Sequence, residues 1–559
     1  MVHPGAATDS ANRAAATERR GRKYNARVYD ASPIRLWDRW LDDRRPSLFV
    51  QALDSVGRAR DLLAGTQFVR GAGFGGQLGN SGEDLAAAWT PDGSGVVFAA
   101  TTNRGDWTRG DVVQSLWLAS ATGGGGGEPQ RLTESRDDFG APRFGPDGRT
   151  LYAGMTPANE RTFNNRRLVA WPWPRTGGGA APQVVAGGAA HSVGSFAVAP
   201  DNRTVYFLAE DAGHMRLFRA PAGGGGEQEV GTMTRGAFGG LQVATAPSRA
   251  PLRIVAVWES ATNPPEVVRI DPASGQWTPL TRFNAERVAR IDWQPLRSFW
   301  LTSSRGGKRI HSFLALPPGF DSTRSYPLFV LIHGGAANMW TDNFGLRWNP
   351  HLLGAAGYVV LMTDYTGSTG YGEKFSQDIQ FDPLEGPAHD LNEAADSAIA
   401  RFRFIDATKQ VAGGASYGGH LTNWLAVTTK RYRALVSHAG EWDLETQWAT
   451  SDFNYNRERN VGGPPWEDHP LWRTQSPMRR AANLHTPVLV SVGERDFRVP
   501  MNNALEFWTA LQRQQIPSKL IIWPDENHWI LKGENSRFFY REVQAWIARW
   551  LSEPAASRE

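Results

Sequence analysis

Gln410-Val411-Ala412-Gly413-Gly414-Ala415-Ser416-Tyr417-Gly418-Gly419 decides how the second half of this 559-residue chain folds. Its start reads as a short apolar strand, and 419–428 continue with a helical pattern. The small residues between them suit a sharp strand-to-helix turn. Gly414-x-Ser416-x-Gly418 has the form of a nucleophile elbow, in which crowding of the backbone exposes the Ser hydroxyl.

Working outward, 328–332, 358–362, 434–436, 488–490 and 520–523 are continuous apolar runs. Helical patterns such as 390–402 and 536–551 lie between them, the latter placing Phe538, Val543, Trp546, Ile547 and Trp550 largely on one face. Buried strands alternating with helices predict a parallel sheet covered on both sides. Such a sheet places its ligands beyond the carboxyl ends of the strands.

A Ser hydroxyl needs a base, and the base an orienting carboxylate. Around this elbow the chain order is Ser, then Asp or Glu, then His. The histidines after Ser416 are His420, His438, His469, His485 and His528. The first two come too early to follow a strand-end acid. His469 lies in a polar loop, and His485 precedes its strand. His528 follows the run 520–523 and is the expected base. The carboxylate then belongs to the loop after 488–490, where Asp496 is preferred over Glu494 for its position and shorter reach; an ion pair with Arg495 or Arg498 is its structural alternative. Two backbone donors are expected for the oxyanion: the N–H of Tyr417, and one from His333-Gly334-Gly335 at the end of 328–332, assigned to Gly335. His333 itself reads as structural, and His420, one turn beyond Ser416, as packing beneath the elbow.

The first half is built differently. Pro91-Asp92-Gly93, Pro146-Asp147-Gly148 and Pro200-Asp201-Asn202 each sit between strand-like runs, with their Asp residues 55 and 54 positions apart. Pro sets φ for such a turn, and Gly or Asn accepts positive φ. Leu132-Thr133, Met233-Thr234 and Leu280-Thr281 close strand-like runs. Repeats of roughly 40–55 residues made of short strands suggest propeller blades, and about five fit between 27 and 300. Glycine tracts at 123–127, 177–179 and 223–226 read as hairpin loops; none has the helix and Lys-Ser/Thr of a phosphate loop. The cluster Arg35-Leu36-Trp37-Asp38-Arg39-Trp40 reads as packing at a blade edge, with lining a binding surface as the alternative.

Composition excludes other chemistry. With no Cys there is no thiolate metal site, disulfide or Cys nucleophile. No H-E-x-x-H or clustered ligand spacing occurs, so neither metal nor cofactor is assigned. Lys+Arg 60 against Asp+Glu 56 gives a net charge of +4, which is no nucleic-acid signature. No apolar run approaches the roughly 20 residues of a membrane span, and 1–22 lack the apolar core of an export signal.

Taken together, the elbow, His333-Gly334-Gly335, Gly367-Ser368-Thr369-Gly370-Tyr371-Gly372, Asp496-Phe497-Arg498-Val499-Pro500 and Pro524-Asp525-Glu526-Asn527-His528-Trp529 resemble the prolyl oligopeptidase family of serine peptidases. Gly462-Gly463-Pro464-Pro465-Trp466-Glu467 and Asn527-His528-Trp529-Ile530-Leu531-Lys532 resemble its bacterial dipeptidyl-peptidase V and acylaminoacyl-peptidase-like branch. The resemblance implies a polar N-terminal tail (1–26), a β-propeller (27–310) and an α/β-hydrolase domain (311–559). It implies Ser416, Asp496 and His528 as the triad of a peptidase that cleaves oligopeptides between the two domains. N-terminal dipeptides with Ala or a hydrophobic residue before the scissile bond would be released. An acylaminoacyl-peptidase or esterase with the same triad, or an inactive propeller scaffold, are the alternatives.

Candidate substrate-binding residues are Asp452, Tyr455, Trp340 and Arg498, with Asp452 or Glu458 as the anchor for a substrate amine. Three features depart from the family pattern: Ala336 in place of Pro, His420 in place of Tyr, and Ser451-Asp452-Phe453-Asn454-Tyr455-Asn456 in place of a more acidic and aromatic loop. A homodimer is a possible assembly. Five units fall short of the seven or eight blades implied, so the expectation is a shortened chain lacking N-terminal blades and an export signal. The resemblance points to a periplasmic or secreted protein, and the missing signal to a cytoplasmic one.

Overall fold

The computed structural model describes residues 1–3, 5–6, 8–54, 59–79, 82–122, 127–174, 181–244 and 252–552. The glycine tracts at 123–126 and 177–179 lie outside these residues. The third, 223–226, turns the chain between strands His214–Pro221 and Gln228–Glu229, as a hairpin loop. Near the N-terminus, Asp9–Arg20 is a helix with no buried residue.

Four antiparallel four-stranded meanders follow one another, the third and fourth joined into one eight-stranded sheet by a parallel pairing of Met215 with Ala237. They comprise Ala87–Trp89, Gly95–Ala100, Ser115–Ser120 and Gln130–Arg131; Asp138–Phe144, Thr150–Thr156, Arg167–Pro172 and Gln183–Ala186; Val193–Val198, Thr204–Asp211, His214–Pro221 and Gln228–Glu229; and Ala237–Val243, Ile254–Ser260, Asn263–Ile270 and Trp277–Pro279. In the first three, the Pro-Asp-Gly/Asn turn joins the first two strands. Gly93, Gly148 and Asn202 there have φ of 71°, 68° and 55°, the region the sequence required.

The inner strands are apolar on both sides because the sheets stack face to face. Val205, Phe207 and Ala209 pack toward the second meander, whereas Tyr206 and Leu208 between them pack toward the fourth. Val97 and Ala99 likewise face the second meander, while Val96, Phe98 and Ala100 face Leu62, Leu63 and Phe74. The period of two along a strand thus feeds two separate cores, the arrangement of propeller blades. Where about five units were expected, residues 27–86 add three small hairpins among the described residues rather than a fifth four-stranded sheet. Their strands are only two or three residues long.

The second half forms an eight-stranded sheet. Its strands are β1 (Arg297–Thr302), β2 (Arg309–Ala315), β3 (Tyr326–Ile332), β4 (Val359–Asp364), β5 (Ile405–Ala415), β6 (Leu435–His438), β7 (Val488–Gly493) and β8 (Ser518–Trp523). The order is β1-β2-β4-β3-β5-β6-β7-β8. β1 and β2 pair antiparallel with their neighbours, and β3 through β8 run parallel. This is the α/β-hydrolase arrangement. The sheet opens at Arg297, because β1 and the whole of β2, whose first two residues also precede 311, belong to it.

The helices that matter below are α1 (Glu385–Arg401), α2 (Tyr417–Thr428), α3 (Leu444–Thr450), α4 (Tyr455–Val461), α5 (Met501–Arg513) and α6 (Gly533–Ser552). Both faces of the sheet are buried. Leu328, Val330 and Ile332 join one core with α1 and α2, and Phe329 and Leu331 join another with α6. The buried carboxylate of Asp342 ties the halves together. It accepts from the N–H groups of Gly236 at 2.6 Å and Ala261 at 2.8 Å, so the loop after β3 is anchored to the fourth meander.

Candidate active site

Ser416 stands between β5 and α2 with φ 59° and ψ −125°, a strained conformation for a residue with a side chain. Its N–H donates to the His438 carbonyl at 3.0 Å, and its own carbonyl accepts from His420 N–H at 2.9 Å. The flanking glycines are sterically required. A Cβ on Gly414 or on Gly418 would stand 2.3 Å from the Ile332 carbonyl oxygen. The elbow is therefore pressed against the end of β3, which is why its sequence is so poor in side-chain volume.

The same closeness brings up the loop after β3. A Cβ on Gly334 would lie 3.2 Å from that of Ser416, and Gly335 adopts φ 109°. Gly335 and Tyr417, the two expected oxyanion donors, both border the cavity that holds Ser416. His333 is locked from behind: its Nε2 meets Ser368 Oγ at 2.9 Å, and its ring stacks on Tyr365 at 4.2 Å. Burial depresses its pKa. A structural role fits these contacts.

Asp496 and His528 come together across the loops after β7 and β8. His528 Nδ1 and Asp496 Oδ2 are 2.6 Å apart, and both residues are buried. A carboxylate only accepts, so a ring proton sits on Nδ1, and in the neutral ring Nε2 is the acceptor. Asp496 Oδ1 accepts from the N–H groups of Arg498 at 2.9 Å and Val499 at 2.8 Å. Ser416 and His528 line one cavity of about 750 Å³.

The cluster at 35–40 contradicts its expected place at a blade edge. Trp37 lines this cavity and stands edge-on to His528 and Trp529. Its N–H donates to Asp452 Oδ2 at 2.6 Å, and its carbonyl accepts from Phe497 N–H at 2.8 Å. Asp38 Oδ2 accepts from Asn527 Nδ2 at 2.9 Å. Aromatic clustering in a sequence signals burial without naming the partner, and here the partner is 489 residues away.

Of the expected substrate-binding residues, Trp340 and Arg498 line the cavity. Asp452 does not: it is 2% exposed, and its carboxylate is held by Trp37 N–H and the Arg498 guanidinium. Tyr455 is also off the lining, because the face of α4 turned inward carries Asn456, Arg457 and Asn460. Glu458, the other amine-anchor candidate, accepts from Trp448 Nε1 at 2.9 Å instead. Glu441, Arg457 and Asn460 were not singled out from sequence. Glu441 lies just past the carboxyl end of β6, where the strand-end rule could have found it.

His389, Asp390 and Glu393 are the grouping of metal-ligand type among the described residues, with ligand atoms within 4.8 Å of one another. They sit on α1, off the cavity lining. Asp390 accepts from Ser303 and Thr366, and Glu393 from the Ser304 N–H. These are structural bonds between α1 and neighbouring segments. No described helix is long and apolar enough to cross a membrane.

Comparison with known proteins agrees with this architecture. Dipeptidyl-peptidase 5 of Porphyromonas gingivalis is 26% identical over 546 residues, covering 95% of this chain and 75% of that one. Dipeptidyl-peptidase 5 of Schizosaccharomyces pombe is 34% identical over 255 residues, covering 45% of this chain and 37% of that one. The solved acylaminoacyl peptidase of Pyrococcus horikoshii is 19% identical with a TM-score of 0.71, covering 85% of this chain and 72% of that one, a likeness of fold. The model of the Prolyl oligopeptidase family matches residues 344–554. That stretch, which holds the elbow and the paired Asp496 and His528, is a prolyl oligopeptidase family domain, of the serine-peptidase type of hydrolase.

Proposed function

We propose that the chain hydrolyses short peptides through Ser416, with His528 as general base and Asp496 as its orienting partner. Ser416 Oγ attacks the scissile carbonyl carbon while its proton passes to His528 Nε2. The carbonyl oxygen becomes an oxyanion, held by the N–H groups of Tyr417 and Gly335. As the tetrahedral species collapses, the C–N bond breaks and the leaving amine takes the proton from His528. Water, deprotonated by the same ring, then cleaves the acyl-Ser416 ester and restores the free serine. The observation that carries this reading is the 2.6 Å contact between Asp496 and His528 beside a strained Ser416 in one cavity.

The names of the relatives favour release of N-terminal dipeptides. One observation favours the acylaminoacyl alternative: Asp452, the expected anchor for a free amine, is sealed by Trp37 and Arg498. Meanders that share cores face to face, with Phe163 of the second lining the cavity, support reading the first half as a β-propeller beside it.

Fluorophosphonate labelling of the folded protein tests the nucleophile, with modification expected at Ser416 and lost in Ser416→Ala. Matched substrates with a free amine, an N-acyl group or a simple ester separate the modes. Faster cleavage of the N-acyl series overturns the dipeptidyl reading.

A further inference from the structure

One end of the Ser416 cavity is polar. Glu441, past β6, and Asn456, Arg457 and Asn460 on α4 line it. Glu441 is 3% exposed and Asn460 9%. Glu441 Oε1 accepts from the Arg457 guanidinium, and Asn460 Nδ2 donates to Asn456 Oδ1 at 3.0 Å. Glu441 Oε2, Arg457 Nε, Asn460 Oδ1 and both ring nitrogens of His420 are buried without a partner. His420 Nδ1 lies 3.2 Å from Glu441 Oε2 but makes no hydrogen bond with it.

Buried polar groups in folded proteins are almost always paired, so unpaired ones that line a cavity call for an explanation. Three of these atoms, Glu441 Oε2, Arg457 Nε and Asn460 Oδ1, belong to residues that line the cavity with Ser416 and describe the group that would satisfy them. Glu441 and Arg457 cancel in charge. His420 is neutral near pH 7, because burial lowers its pKa to about 4. What stands open is two acceptors, Glu441 Oε2 and Asn460 Oδ1, and one donor, Arg457 Nε–H.

An alkyl side chain leaves all of these unmet. An ammonium can only donate and adds a cation beside Arg457. A carboxylate can only accept and faces Glu441. A primary carboxamide donates twice, accepts at its oxygen and carries no charge.

We propose that this end of the cavity receives the side chain of Gln or Asn in the substrate residue before the scissile bond. The proposal rests on the peptidase reading above and replaces the expected preference for Ala or hydrophobic residues there. A site built to hydrogen-bond its substrate rejects analogues that leave its own buried groups unpaired.

The test is a panel of fluorogenic dipeptide amides, N-terminally free and N-acetylated. Its members carry Gln, Asn, Ala, Leu, Lys or Glu before the scissile bond. Enzyme concentration is fixed by fluorophosphonate titration of Ser416. The expected result is kcat/KM for Gln or Asn at least tenfold above that for Leu. Asn460→Leu and Glu441→Gln, each checked for cooperative melting, are expected to narrow that ratio at least fivefold. A wild-type preference for Ala, Leu, Lys or Glu overturns the proposal, as does an unchanged ratio in both folded variants. If a variant does not fold, the wild-type panel decides alone. Full labelling with no cleavage of the Gln and Asn substrates sinks the carboxamide pocket and leaves the nucleophile standing. Absence of labelling sinks both readings.

Discussion

The indole of Trp37 stands edge-on to the imidazole of His528, with ring centres 5.1 Å apart at 76°. Arg498, two residues beyond Asp496, covers the same indole at 5.4 Å. His528, the proposed base, is therefore held by two contacts: a hydrogen bond to Asp496 and an aromatic wall against the plane of its ring. Trp37→Ala is expected to lower kcat at least tenfold with a smaller change in KM, since the lost contact orients the base. Trp37→Phe should recover much of the rate. Equal losses in the two variants would mean that the aromatic wall has no part in positioning His528.

Removal of the proton-handling groups should follow the logic of a Ser-His-Asp unit. Ser416→Ala and His528→Ala are each expected to lower kcat by more than about a thousandfold. Asp496→Asn should cost about as much, because an amide in its place can stabilise the wrong ring tautomer. Circular dichroism should be unchanged for Ser416→Ala, whose side chain is one atom shorter. Steady-state rates on any cleaved substrate check this, and a variant within tenfold of wild type would remove that residue from the mechanism.

The elbow tolerates no side chain on either flank. Gly418→Ala places a methyl 2.3 Å from the Ile332 carbonyl oxygen and 2.9 Å from that of His333, both main chain. Destabilisation of several kcal/mol is expected, in the range of overpacking combined with a displaced strand end. Thermal melting reads it. Wild-type stability would mean that β3 and the elbow are free to part.

Two histidines make stability acid-sensitive. Burial lowers the pKa values of His420 and His438 to about 4, from an ordinary value near 6.5. Between these values the unfolded chain binds more protons than the folded one. Stability should thus be at full strength above about pH 6.5 and fall as pH drops toward 4. The loss is on the order of 3 kcal/mol per histidine. Urea midpoints across this window measure it. His420→Leu should flatten the slope, and an unchanged slope would place the acid sensitivity elsewhere.

Much of this site was legible because its constraints are local. Ser416 needs small neighbours within two residues, and Asp496 and His528 each follow an apolar strand at a predictable distance. The blade turns were legible for the same reason: Pro sets one φ, and Gly or Asn accepts the next. What the sequence hid depends on contacts between distant segments. Nothing near Asp452 indicates that its carboxylate is occupied by an N–H from residue 37. Nothing near Trp37 indicates that its neighbour is a histidine on the last strand-end loop. The polar end of the cavity escaped notice because Glu441 and Arg457 belong to different elements and become a pair only when α4 folds over the end of β6.

The bond from Asn527 to Asp38 spans 489 positions. Closing so wide a loop costs entropy that only a largely assembled chain can offset. During synthesis from the N-terminus, the Trp37 segment is made first and waits for the 489 positions that separate Asp38 from Asn527 before its partner exists. The brace on His528 is thus added only after the last strand of the sheet has been made. A half-made chain, whose own unfolded segments would be the nearest peptides to hand, does not yet possess the machinery to cut them.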